Sequence, residues 1–167
     1  MKMCNTVHWG RVLEVPDNKH FSVSGVILHD EKVLLVRHTY GVAKGQLLIP
    51  GGHVKETEMP HKAIEREIFE ETQVHAQAQK VVAIRFRENN WWVIFSMKYV
   101  SGTPKSDGYE NNEAIFIEVH EALTREDVTQ ASKEAIKAVL HGRGLNESNW
   151  CPPDFNRKQY KYYGLIE

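Results

Sequence analysis

Short apolar runs rich in β-branched residues alternate with polar segments between residues 21 and 119. Runs of this kind, bounded by Gly, Pro, Asn or Asp, are typical of β-strands. They predict strands over residues 21–28, 32–37, 81–86, 91–100 and 114–119, with a further short apolar run at 47–49. Because only His29, Asp30 and Glu31 separate the first two runs, we expect these two strands to form a hairpin.

Two segments have the composition of helices. Residues 60–72 contain no glycine and begin with a proline, whose missing N–H is harmless at the first helical position. Residues 129–140 predict a second helix, which Gly142 ends. Strands interrupted by helices predict an α/β fold with helices on both sides of a sheet.

The two ends of the chain give weaker patterns. Residues 1–19 form an N-terminal flank, in which residues 12–16 predict an edge strand that Pro16 ends. Residues 142–167 form a tail that is rich in aromatic residues without a clear period. We expect this tail to pack on its own domain, and the alternatives are a contact with a partner subunit in a homodimer or a flap over the active site.

The composition is that of an ordinary one-domain protein, with 167 residues, 41% apolar and 26% charged. The net charge is −1 and Lys and Arg form no stripe, so we do not expect duplex nucleic acid as a partner. No stretch approaches the ~20 apolar residues of a membrane span, so we expect no membrane partner either. Cys4 and Cys151 lack the spacing of a disulfide framework, which favours a cytoplasmic location.

The candidate chemistry lies on the first predicted helix, where Glu67, Glu70 and Glu71 share one face at positions i, i+3 and i+4. Like charges at this spacing repel one another. Ile64 and Ile68 lie beside them, so the carboxylates border the buried stripe, where unpaired charge is unfavourable. A bound Mg²⁺ or Mn²⁺ ion would resolve both problems. Most acidic helix faces are simply solvated, however, so the surrounding pattern must decide.

That pattern resembles the signature of the Nudix hydrolase family, G-x5-E-x7-R-E-U-x-E-E-x-G-U, in which U is a bulky apolar residue. The chain has Gly52, Glu58 and then the run from Arg66 to Val74 at the same spacing. The one departure among the nine defined positions is Gln73, where the family has glycine. A glycine after a helix favours a left-handed turn, so we expect Gln73 to affect stability more than chemistry.

The resemblance implies a fold, a cofactor and a set of roles. The fold would be the Nudix α/β/α sandwich with a mixed β-sheet, over residues 20–141. Glu67, Glu70, Glu71 and the carbonyl of Gly52 would bind Mg²⁺, and Mn²⁺ would be able to replace it. Arg66 would orient the glutamates, and Glu58 would support the junction of loop and helix.

A further acidic residue from a later loop often faces the metal in this family. Glu110 and Glu113 are the candidates here, and Asp107 is the third. The general base differs among family members, so Glu71, Glu110 and Glu113 all remain open. The resemblance implies that this base takes a proton from water that attacks phosphorus.

The substrate is the least determined part of the prediction. The primary hypothesis is a small molecule with a diphosphate linkage, a nucleoside diphosphate derivative. The alternatives are a catalytically silent ligand-binding module and a prenyl diphosphate isomerase. Arg37, Tyr40 and Arg85 are candidates for substrate contact because of their positions at strand ends. Trp92 is a candidate for stacking on a nucleobase, although ordinary packing or a surface contact is the preferred interpretation.

Overall fold

The computed structural model describes residues 20–149, 156, 158 and 160–165. The predicted edge strand at 12–16, both cysteines and the aromatic residues Trp150 and Phe155 lie outside the described residues. No helix within the described ranges is both long and apolar enough to cross a membrane.

The described residues form nine strands and three helices. The strands are β1 (His20–His29), β2 (Lys32–His38), β3 (Leu47–Leu48), β4 (Gly51–His53), β5 (His75–Arg87), β6 (Asn90–Ser101), β7 (Asn111–Glu118), β8 (Leu145–Glu147) and β9 (Tyr163–Gly164). The helices are α1 (Pro60–Thr72), α2 (Val119–Thr124) and α3 (Gln130–Leu140).

All nine strands belong to one mixed sheet with the order β3-β2-β1-β6-β5-β8-β9, and β7 pairs with β2. β1 and β6 are parallel, whereas the other pairs are antiparallel. β1 changes partner along its length, because its last residues pair with β2 and residues Ser22, Val23 and Ser24 pair with β4. The end of β2 lies beside the last turn of α1, where Nε2 of His38 is 4.0 Å from Oε1 of Glu71.

Apolar side chains are buried on both faces of the sheet, so the fold is an α/β/α sandwich. Ala63, Ile64 and Ile68 of α1 lie in the core on one face. Ala135 and Ile136 of α3 lie in the core on the other. Helix α1 lies close to β1 because Gly25 has no side chain: a Cβ there would lie 2.8 Å from Cδ1 of Ile68.

The ends of α1 follow the predicted rules. Pro60 occupies the first turn, and Gln73 at the C-terminal end has φ 59° and ψ 14°, the left-handed conformation. Its N–H donates to the carbonyl of Phe69 at 2.9 Å. The turn that the family makes with glycine is therefore kept here with a glutamine, which is less favourable in this conformation.

Several elements differ from the prediction. β5 begins at His75 rather than at residue 81, because Ala76 and Ala78 alternate with polar residues and pack against the core on the α1 face. Alanine is a poor strand former, so tertiary packing decides this segment. Helix α2 was not predicted, and residue 119 begins it rather than ending a strand. In the C-terminal tail, β8 and β9 extend the sheet, and Tyr163 lies edge-on to Phe95 at 5.8 Å.

Candidate active site

Two glycines of β4 bring its backbone close to neighbouring elements, Gly51 to β1 and Gly52 to α1. A Cβ on Gly51 would lie 2.1 Å from the carbonyl oxygen of Val23, and one on Gly52 would lie 2.4 Å from Cδ of Glu67. Neither separation can hold a side chain. The Pro-Gly-Gly sequence before the helix therefore places main-chain atoms directly beside the carboxylate of Glu67.

Arg66 connects two glutamates of α1 with the preceding loop. Its guanidinium binds Glu58 through two hydrogen bonds of 2.9 and 2.8 Å. Nη1 donates at 2.8 Å to both Glu67 and Glu70. Hydrogen bonding to Arg66 lowers the pKa of Glu58, and the Glu58 contact is the largest cause that raises the pKa of Arg66. Arg66 thus holds three carboxylates in one cluster.

Glu71 is the most buried carboxylate of the group, with 2% of its surface exposed. Oε2 accepts a 2.9 Å hydrogen bond from the N–H of Gly51. Burial raises the pKa of Glu71 to about 8, and the negative charges of Glu67, Glu110 and Asp107 add to the shift. Burial also raises the pKa of Glu67.

Three buried polar atoms around Glu71 have no hydrogen-bond partner among the described residues: Oε1 of Glu71, Nε2 of His38 and Oδ1 of Asn111. Nε2 of His38 lies 4.0 Å from Oε1 of Glu71. Asn111 is fully buried, and its Nδ2 donates to the main-chain carbonyl of Glu71 at 2.9 Å. A buried polar group without a partner costs about 1–3 kcal/mol, so this group of orphaned atoms indicates a site for a ligand.

The donors at this place fit a divalent cation. Glu67, Glu70 and Glu71 offer hard oxygen ligands, and one oxygen of Glu71 is buried and free of hydrogen bonds. Within the described chain no three His, Cys, Asp or Glu side chains are already assembled as a metal site. Arg66 lies between the carboxylates of Glu67 and Glu70 in this arrangement.

A cleft of about 420 Å³ opens beside the glutamates, and Gly51, Gly52 and Glu67 lie in its wall. Three of the four predicted substrate residues line it: Tyr40, Arg85 and Trp92. The guanidinium carbon of Arg85 lies 4.7 Å from the ring centre of Trp92. Nη2 of Arg85 donates to Oδ1 of Asn90 at 2.6 Å, and Asn90 in turn donates to Ser22 at 2.9 Å.

Glu110 also lines the cleft. It accepts a 3.1 Å hydrogen bond from the hydroxyl of Tyr40, whose ring stacks on His38 at 5.2 Å. Asp107 shapes this loop, because one of its oxygens accepts from the N–H groups of Tyr109, Glu110 and Asn111. Asp107 therefore has a clear structural role in presenting Glu110.

Arg37 and Glu113 do not line the cleft. They face each other across β2 and β7, and Nε of Arg37 donates to Glu113 at 2.6 Å. Nη1 of Arg37 donates to Asp127 at 3.0 Å and to the carbonyl of Gly45 at 2.8 Å. The expected contact of Arg37 with substrate therefore has no support in this geometry, because its guanidinium already joins strands and loops.

Two residues at the site were not found by sequence reasoning. His38 follows Arg37 directly, and strand alternation gives the two side chains opposite directions. The signal in the sequence that could have identified His38 is its position at the end of an apolar strand. Asn111 is the first residue of β7, and nothing in the sequence distinguishes it from its polar neighbours.

Comparison with known proteins gives a family and a fold. The model of the NUDIX domain family matches residues 18–139, which is more than half of the chain. A NUDIX hydrolase from Nitrosomonas europaea has a similar structure, with a TM-score of 0.67 and 22% identity over 75% of this chain and 91% of that chain. No curated protein gives a match.

Two further similar structures are enzymes with named activities. An ADP-ribose pyrophosphatase from Streptococcus suis has a TM-score of 0.60 and 19% identity, covering 74% of this chain and 90% of that chain. A UDP-X diphosphatase has a TM-score of 0.60 and 22% identity, covering 75% of this chain and 65% of that chain. These likenesses confirm the predicted α/β/α fold with a mixed sheet.

Proposed function

Because the chain belongs to the NUDIX family, we propose that it hydrolyses the diphosphate linkage of a nucleoside diphosphate derivative, with Mg²⁺ as the cofactor. Membership in the family confirms the expectation of a Nudix-type hydrolase. The identity of the substrate and the identity of the metal are what we propose. The observation that carries the proposal is the buried carboxylate of Glu71, whose oxygen Oε1 has no hydrogen-bond partner among the described residues and lies 4.0 Å from Nε2 of His38, a residue that lines the cleft.

The ligands for the cation would be Glu67, Glu70, Glu71 and the carbonyl of Gly52, and Mn²⁺ would be able to replace Mg²⁺. When bound, the cation would neutralise charge on the diphosphate and make water a stronger acid. Arg66 and Glu58 are positioning residues in this account, because their paired hydrogen bonds fix the carboxylates relative to the loop.

We favour Glu110 over Glu113 as the general base. Glu110 lines the cleft and receives a hydrogen bond from Tyr40, whereas Glu113 is paired with Arg37 outside it. Burial raises the pKa of Tyr40 to about 12, so its hydroxyl stays protonated and holds Glu110 in place. Glu110 would take a proton from water while the water oxygen forms a bond to phosphorus. The leaving phosphate would take the electron pair of the broken P–O bond.

Support for a nucleoside comes from the planar groups in the cleft. The guanidinium of Arg85 lies over the ring of Trp92, and the network through Asn90 to Ser22 fixes its orientation. A planar base can stack on the outer face of this guanidinium. A cytoplasmic location and a homodimer remain predictions from the sequence.

The test is an assay of the purified protein with Mg²⁺ against nucleotide sugars, dinucleotides, nucleoside triphosphates and prenyl diphosphates. We expect phosphate-ester products from one nucleotide class, and no turnover with EDTA or in Glu71→Gln. Glu56→Gln makes the same chemical change at an exposed position of the preceding loop and should keep full activity.

Turnover by Glu71→Gln at the wild-type rate would show that the site is elsewhere. Binding of a nucleotide without turnover would favour the silent module, and a rearranged prenyl diphosphate would favour the isomerase.

A further inference from the structure

We propose that the imidazole of His38 is a direct ligand of the divalent cation, through Nε2. The inference rests on the proposed function in one respect, namely that a cation binds at Glu71. It adds a nitrogen donor to a site that the glutamate pattern alone describes as all oxygen.

Two buried atoms that lack hydrogen-bond partners within the described chain lie next to each other at this place. Nε2 of His38 and Oε1 of Glu71 are both buried, and neither has a hydrogen-bond partner among the described residues. They lie 4.0 Å apart, which is too far for a hydrogen bond between them. Two adjacent groups that each lose solvation without compensation are expected where a ligand completes both.

The distance between these two atoms suits a bound cation. Bonds from a cation to carboxylate oxygen and to imidazole nitrogen are each about 2.0–2.2 Å long. Two such bonds can span the separation of 4.0 Å between these atoms. Glu71 is 2% exposed, so its free oxygen faces protein rather than bulk solvent.

The imidazole of His38 is held in place by its neighbours. The ring of His38 stacks on Tyr40 with an interplanar angle of 21°. Its main chain is fixed on both sides, because its N–H donates to Gln46 and its carbonyl accepts from Gly45 at 2.8 Å. A positioned imidazole needs little reorganisation to bind a cation.

A nitrogen ligand changes which metal the site prefers. Oxygen donors suit Mg²⁺, whereas imidazole favours transition metals, along whose series affinity for nitrogen sites rises. We therefore expect a higher ratio of Mn²⁺ to Mg²⁺ affinity in wild type than in His38→Gln, in which a carbonyl oxygen replaces the nitrogen.

The experiment uses the full chain and Mn²⁺ alone, without substrate. Electron spin echo envelope modulation of the Mn²⁺-loaded protein detects a directly bound imidazole nitrogen. We expect nitrogen modulation in wild type and its loss in His38→Gln. His53→Gln is the matched control, since His53 is the other histidine known to line the cleft, and it should keep the modulation.

Affinity gives a second readout. Loss of even an outer partner of a metal ligand typically weakens binding about 10- to 100-fold, so His38→Gln should weaken Mn²⁺ by at least about tenfold. Calorimetric titration with Mn²⁺ and with Mg²⁺ measures this, and circular dichroism checks that the variant is folded.

Wild-type protein that binds Mn²⁺ without nitrogen modulation would overturn the inference and leave the proposed function intact. Modulation that survives in His38→Gln would overturn it as well, since the nitrogen would then belong to another residue. No binding of Mn²⁺ by wild type would refute both the inference and the proposed metal dependence. If His38→Gln fails to fold, modulation that survives in His53→Gln still supports His38 as the ligand, and its loss in His53→Gln would overturn the inference.

Discussion

Replacement of Glu71 by Gln should stabilise the metal-free protein while it abolishes activity. Burial raises the pKa of Glu71 from 4.5 to about 8 in the folded state, and the unfolded carboxyl should titrate near its ordinary value. The folded state therefore binds more protons than the unfolded state between these pH values. The metal-free wild type accordingly loses stability as the pH rises from 4.5 to about 8.

The size of the effect follows from the same two values. One pKa unit corresponds to about 1.4 kcal/mol, so at pH 7 the ionisation of this carboxyl lowers the free energy of unfolding by about 3 kcal/mol. Glutamine carries no charge, and its carbonyl oxygen can keep the hydrogen bond from Gly51. For a chain of this size the gain corresponds to an increase in Tm of roughly 5–10 °C.

Thermal denaturation followed by circular dichroism, in EDTA, measures this difference. The advantage of Glu71→Gln over wild type should be small at pH 5 and large at pH 8. Glu70→Gln is the control, because Glu70 is 52% exposed and pairs with Arg66, so its charge is not buried without a partner. Added Mg²⁺ should raise the Tm of wild type but not of Glu71→Gln. A Glu71→Gln protein that is less stable than wild type at pH 8 in EDTA would refute the reasoning.

Three further predictions concern separate parts of the molecule. Arg85→Ala should raise KM for a nucleotide substrate about tenfold with little change in kcat, as expected when uniform binding is lost, and equal kinetics to the control Arg87→Ala would contradict it. Glu110→Gln should lower kcat about 10²- to 10⁴-fold, whereas Glu113→Gln should mainly lower Tm by removing the carboxylate that accepts from Nε of Arg37; the reverse result would identify Glu113 as the base. Gln73→Gly should raise the free energy of unfolding by up to about 1 kcal/mol at unchanged activity, and urea denaturation that shows a loss of stability would contradict the strain inferred at φ 59°.

The glutamate cluster was predictable because its information is local. Glu67, Glu70 and Glu71 lie within two turns of one helix, so helical periodicity alone places them on one face. The two glycines before the helix belong to the same contiguous pattern. The close approach of Gly52 to Glu67 depends on the pairing of β4 with β1, which the sequence does not state.

The other wall of the site depends on contacts between distant segments. His38 reaches Glu71 only because β2 lies beside β1 and β7, and the pairing of β2 with β7 has an irregular register between Arg37 and His38. The sequence places Arg37 at a strand end, but the direction of the side chain decides its role. Arg37 pairs with Glu113, whereas its neighbour His38 lies beside Glu71. Asn111 is buried through a contact with the last turn of α1 that no local pattern indicates.

The central claim is that water cleaves a diphosphate at the Glu71 site. Phosphorus NMR of the products formed from a nucleotide sugar with Mg²⁺, in water enriched in a heavy oxygen isotope, tests it most directly. The account predicts two phosphate monoesters, one of them carrying a single labelled oxygen, and no products with Glu71→Gln. Unlabelled products, or labelled products at an undiminished rate from Glu71→Gln, would contradict it.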